Sequence, residues 1–182
     1  AVDLGDIAAG QGGFAIVGEG GVGRSVASAG DVNGDGLDDL IFRAGGAVYV
    51  MFSETSGSGA VDLDAIAAGR GGFKIIGETE DDGSRNLFGA AVAPLGDFNG
   101  DGFGDLILGT TTWMRDPTER TAAGAAYVVF GKADSSGTVD LDAVVAGQGG
   151  FRLAGVIEDF AGASVSSAGD VNGDGFDDAF VG

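Results

Sequence analysis

The chain has no cysteine and no histidine, a single tryptophan, two prolines, and nine lysines and arginines against 28 acidic residues. The first two absences exclude disulfides, thiol nucleophiles, histidine-assisted serine chemistry and ordinary zinc sites. The shortage of cations, with a formal net charge of −19, argues against nucleic acid and anionic membrane surfaces, which call for clustered basic side chains. No apolar run is long enough to span a bilayer, so no membrane insertion is expected, and no signal-peptide pattern opens the chain. The chain begins at Ala1 rather than Met, which leads us to expect a processed or excised piece of a longer protein.

Glycine, by contrast, is abundant at 38 residues, and the mean hydropathy is positive. Flexible linkers are not also apolar, so the glycine is expected to serve turns and close backbone approach in a β-protein. Much of the acid is concentrated in one nine-residue pattern that occurs three times: D-V-N-G-D-G-L-D-D from Asp31, D-F-N-G-D-G-F-G-D from Asp97 and D-V-N-G-D-G-F-D-D from Asp170. Side-chain oxygens fall at positions 1, 3, 5 and 9 of each copy. A hard cation takes six to eight oxygens, and a tight loop can present them from alternate residues. The candidate metal ligands are therefore Asp31, Asn33, Asp35, the Leu37 carbonyl and Asp39. Their counterparts are Asp97, Asn99, Asp101, the Phe103 carbonyl and Asp105, then Asp170, Asn172, Asp174, the Phe176 carbonyl and Asp178. Ca²⁺ at about three sites is the expected cofactor, and it would leave the net charge at about −13. An EF-hand would close with Glu at position 12, where this chain has Phe42, Leu108 and Val181, so each loop is expected to run into a strand. The competing reading is three Asx-rich turns with no metal, since Asp, Asn and Gly dominate turns.

The loops sit in a larger repeat. Val2-Asp3-Leu4, Val61-Asp62-Leu63 and Val139-Asp140-Leu141 each lead into a short Ala-rich stretch, which suits one capped helical turn. A Gly-x-Gly-Gly-Phe segment and a short strand follow, then a small-residue strand, the metal loop and an apolar strand. Two units add a further strand, Ala47 to Phe52 and Ala125 to Phe130. Units at about 2–60, 61–138 and a truncated 139–182 form one repeat region over 1–182. Four short strands per unit, separated by Gly/Asp turns, predict an all-β fold of propeller blades, each of four antiparallel strands. The G-x-G-x-x-G spelled from Gly18 to Gly23 is set aside, because no helix is expected after it.

Phe88-Gly89-Ala90, Gly96 to Gly102 and Asp105-Leu-Ile-Leu-Gly109 together resemble the FG-GAP repeat. That repeat builds the β-propeller of integrin α subunits and of many bacterial surface or secreted proteins. The resemblance covers two full copies and a truncated third. It departs at Val22-Gly23, at Phe160-Ala161-Gly162, and where Arg43-Ala44-Gly45 and Gly109-Thr110-Thr111 replace the family's Gly-Ala-Pro. The resemblance implies that the strand before each loop is innermost and that the outermost strand of a blade comes from the next unit's Gly-Gly-Phe segment. The chain would then hold an orphan outer strand, two complete blades and the first two strands of a third, a partial propeller.

The resemblance further implies a calcium-stabilised, non-enzymatic interaction or adhesion module, extracellular or at the cell surface. The alternative is a non-catalytic accessory portion of a secreted phospholipase- or polysaccharide-active hydrolase. Two long connections, 78–87 and 110–124, fall on the face opposite the metal loops. They carry Arg85, Trp113, Arg115 and Arg120, residue types that often anchor interfaces, and these are the candidate contacts for a protein or glycan ligand. Self-association to complete the propeller is a further expectation, as is packing of Phe14, Phe73, Phe151 and Tyr127 in the core.

Overall fold

The computed structural model describes residues 3–10, 12–18, 21–53, 60–79, 88–111, 123–134, 137–156 and 158–182. Along the chain run α1 (Leu4–Ala8), β1 (Ala15–Val17), β2 (Val26–Gly30), β3 (Asp39–Ala44), β4 (Ala47–Met51) and β5 (Ala60–Asp62). Next come α2 (Leu63–Ala67), β6 (Gly72–Ile76), β7 (Ala91–Gly96), β8 (Asp105–Thr110) and β9 (Ala125–Val129). The last are β10 (Thr138–Asp140), α3 (Leu141–Val145), β11 (Gly150–Ala154), β12 (Val165–Gly169) and β13 (Asp178–Val181).

The fold is mostly β, and its sheets follow the expected blade order. β2, β3, β4 and β6 pair antiparallel in sequence, as do β7, β8, β9 and β11, while β12 pairs with β13. The outer strands β6 and β11 are the Gly-Gly-Phe segments of the following unit. The innermost strands β2 and β12 both pack against β7, the arrangement of blades around a common axis. One element departs from a plain four-stranded blade. β10 pairs parallel with β6, and β5 pairs parallel with β1, so the link between third and outer strands reaches back to the preceding blade. A fifth, parallel strand is the result.

Side-chain alternation explains why the apolar strands are buried on both faces. In β4, Ala47, Tyr49 and Met51 join Phe42, Leu63 and Ile66 on one side, with Ile16 of the orphan strand β1. Val48 and Val50 point the other way and pack with Phe73, Ile75, Leu106, Leu108 and Tyr127 between the two complete blades. A third layer, built on Leu95, Ile107, Ala126 and Val128, is covered by Val165, Ala179 and Val181 of the last two strands. Phe73 and Tyr127 are buried as expected and Phe151 packs against the third layer, but Phe14 is 39% exposed, next to β1, whose pairing is with the three-residue strand β5.

Each helical turn is N-capped as its sequence predicts. Asp3, Asp62 and Asp140 accept from the N–H two residues on, at Gly5, Asp64 and Asp142. Leu63 and Ile66 of α2, and Leu141 and Val144 of α3, plug the layers between blades.

Candidate metal loops and the blade interfaces

Loops 31–39, 97–105 and 170–178, here loops 1, 2 and 3, each join an innermost strand to its neighbour. A β-bulge precedes each one, with Gly30, Gly96 and Gly169 at φ of 71°, 70° and 67°. A glycine in this left-handed region turns the chain off the ladder at a cost other residues would meet sterically. The loop therefore starts at the same point in every copy.

Within the loops the side-chain oxygens are turned onto main-chain N–H groups in nearly identical ways. Asp31 accepts from Asp35 N at 2.9 Å and Gly36 N at 2.8 Å; Asp97 accepts from Asp101 N at 2.9 Å and Gly102 N at 3.0 Å. Asp170 does the same for Asp174 N and Gly175 N, at 3.0 and 2.9 Å. Asn33, Asn99 and Asn172 each accept from the N–H two residues on, and Asp35, Asp101 and Asp174 accept from Leu37, Phe103 and Phe176.

Position 9 is where the copies diverge. Asp39 and Asp105 are fully buried. Asp39 accepts from Val32 N at 3.0 Å and from Ser53 N, just beyond β4, at 2.8 Å. Asp105 accepts from Phe98 N at 3.0 Å, Asn99 N at 3.2 Å and Gly131 N, just beyond β9, at 2.8 Å. Asp178 is half-buried and accepts from Val171 N at 2.9 Å and Asn172 Nδ2 at 3.1 Å, because no third strand of its blade lies within the chain. Burial pushes both enclosed acids up. Asp105 rises to about 6, with its main-chain donors opposing the shift and Asp101 adding to it. Asp39 is raised by burial, against the Ser53 and Val32 donors and with Asp35 and Asp31.

Among the described residues no three acidic side chains stand together as a ready-made metal cage. The donor set nevertheless suits a hard dication: three carboxylates, one carboxamide and a loop carbonyl, all oxygen. A carboxylate oxygen that accepts one N–H still has a lone pair to offer. The residues that would hold the ion are the fifteen predicted from spacing, and all lie in the three loops.

The blades are also tied on the side away from the loops, by the first residues of the long connection 78–87. Glu78 accepts from Tyr127 Oη at 2.8 Å and from Arg152 Nη1 at 2.6 Å, linking the end of β6 to β9 and β11. Next to it, Thr79 donates through N and Oγ1 to Asp142 of α3 at 2.9 and 2.7 Å. Glu78 and Thr79 thus belong to a blade interface. The candidate ligand-binding residues Arg85, Trp113, Arg115 and Arg120 lie outside the described residues.

Two four-stranded antiparallel units and a two-stranded one, each with an acidic loop between its first two strands, define an FG-GAP type of β-propeller segment. The FG-GAP repeat model matches residues 22–63 and 88–129, so the chain carries FG-GAP repeats. It is similar to integrin alpha-2 of Mus musculus, 30% identical over 158 residues, which is 87% of this chain and 12% of the relative. Integrin alpha-2 of Bos taurus is 32% identical over 158 residues, 87% of this chain and 13% of the relative. Integrin alpha-4 of Xenopus laevis is 28% identical over 162 residues, 85% of this chain and 14% of the relative. The chain thus spans about an eighth of the length of the curated relatives it matches. These relatives are vertebrate, and the bacterial side of the family resemblance is not borne out by them.

Proposed function

We propose that the chain is a calcium-binding portion of a β-propeller that serves as a non-enzymatic interaction and adhesion module, extracellular or at the cell surface. The observation that carries this reading is the threefold recurrence of one oxygen-rich loop, in the same place in each sheet, at 31–39, 97–105 and 170–178. Similarity to integrin α chains favours it over the accessory portion of a hydrolase. Among the described residues no helix is long and apolar enough to cross a membrane. A protein or glycan is the ligand class that a propeller face of this kind would take, with the connections 80–87 and 112–122 as the segments to test, and a second copy of the chain could complete the open blade.

The metal has a structural role in this reading. Drawing the three carboxylates of a loop onto one point is opposed by their mutual repulsion unless a dication neutralises them. With free calcium about 100-fold above a site's dissociation constant, each site adds about 2.7 kcal/mol to stability. Calorimetric scans in millimolar Ca²⁺ and in EDTA test this. The melting temperature is expected to be higher with calcium, and identical scans would remove the metal from the account.

A further inference from the structure

The three loops do not stand apart; each touches the next. The Phe103 ring of loop 2 lies against Gly34 of loop 1, where an added Cβ would stand 2.9 Å from the ring. Phe176 of loop 3 lies against Gly100 of loop 2 in the same way, again at 2.9 Å. Loops 1 and 2 share a second connection made of main chain. Gly104 N donates to the carbonyl of Asp31 at 2.7 Å. Asp39 accepts from Val32 N at 3.0 Å, the Val32 carbonyl accepts from Lys132 N at 2.9 Å, and the adjacent Gly131 N donates to Asp105 at 2.8 Å. Gly131 has no space for a side chain there: a Cβ would stand 2.5 Å from the Gly104 carbonyl oxygen and 2.8 Å from that of Val32. Among the described residues no such main-chain bridge joins loop 2 to loop 3.

We propose that ion binding at loops 1 and 2 is coupled, so that filling either raises the affinity of the other, while loop 3 is bound to the pair only weakly. The inference rests on the calcium reading above. The last ligands of the two loops, Asp39 and Asp105, are held through a shared run of peptides, and the first ligand of loop 1 is held by the residue before Asp105. Ordering these peptides around one ion leaves less to order around the second, and the coupling is then reciprocal.

Coulomb interaction alone predicts the opposite sign. A filled loop 2, with three carboxylates and one dication, has a net single negative charge, whereas an empty loop 2 bearing Asp101→Asn has two. The more negative neighbour would strengthen binding at loop 1, not weaken it.

The test is a calcium titration of the intact chain, followed by ¹H–¹⁵N spectra at Gly36, Gly102 and Gly175, whose N–H groups donate to Asp31, Asp97 and Asp170. Asp101→Asn retains an acceptor for Phe103 N while removing a charge from loop 2. It is expected to move the Gly36 midpoint to about fivefold higher calcium and the Gly175 midpoint by less than about twofold. The reciprocal Asp35→Asn should shift Gly102 by the same factor, and it tests the coupling should Asp101→Asn fail to fold. Gly131→Ala should abolish the dependence. A Gly36 midpoint that is unchanged or lower in Asp101→Asn, with all three wild-type glycines responding, overturns the coupling alone. If no wild-type glycine responds, the calcium reading falls and the coupling with it.

Discussion

Blade 2, with all four strands in the chain, and the two-stranded start of blade 3 carry nearly the same loop sequence but hold it differently. Asp105 is sealed beneath β9 and accepts three main-chain N–H groups, one of them from Gly131. Asp178 has the same place in its loop, yet one of its oxygens takes only the Asn172 side chain. The difference shows that the last acid of the motif has two roles. It is a candidate ligand in all three copies, and where the third strand is present it is also the clamp that closes the blade over the loop. Glu78 and Val156 repeat the lesson on the other face. Each lies two residues beyond an outer strand, but Glu78 is gripped by the next blade, whereas Val156 is 54% exposed with no such strands beside it.

The largest effect expected from this comparison is on stability without calcium. Asp105→Ala leaves three main-chain donors without their acceptor, at about 1–3 kcal/mol for each that stays buried, so a loss on the order of 4 kcal/mol is expected in urea unfolding. Asp178→Ala should cost about 1 kcal/mol in the same measurement. Equal losses would dissolve the distinction between clamp and ligand. On the opposite face, Glu78→Ala removes the carboxylate that accepts from both Tyr127 Oη and Arg152 Nη1, for about 2 kcal/mol by urea denaturation, while Val156→Ala should change stability by less than about 0.5 kcal/mol.

A separate expected effect is one of pH. With Asp105 near 6 in the folded chain and about 3.9 when unfolded, the native state binds more protons in that interval. This group's contribution in calcium-free solution is therefore greatest below about pH 4 and is lost as pH rises through about 6. Asp39, raised for the same reason, adds in the same direction. The urea midpoint measured from pH 4 to 7 should show a component of downward slope that Asp105→Asn removes, and a slope unchanged by that substitution would count against the buried acid as its source.

The sequence announced what depends on local chemistry. The loop ligands are consecutive residues with glycine between them, the N-caps lie two residues from the N–H they hold, and alternation gave the strands. What it hid depends on residues far apart. Nothing near Asp39 or Asp105 marks Ser53 or Gly131 as their distant donors, 14 and 26 residues away. The parallel strands β5 and β10 are three residues each and flow directly into a capped helix, so their Val-Asp-Leu reads as a helix start. Glu78 and Thr79 sit at the start of an insertion, and their partners Tyr127, Arg152 and Asp142 are 49 to 74 residues on. In the third copy the structural counterpart of Phe88 is Ala161, beside the turn glycine, while the neighbouring Phe160 has φ of 54° and is 50% exposed.

The parallel strands set a limit on how such a chain can be cut. Because β10 leaves its own sheet to border β6, and α3 and Glu78 fasten the same seam, every boundary drawn at a repeat start passes through hydrogen-bonded pairs of the blade before it. A single excised repeat would carry away a strip of its neighbour's edge and leave behind its own outer strand. Gain or loss of whole units, in contrast, passes each edge to an equivalent one, so an array built this way can change its number of blades more easily than it can give one up intact.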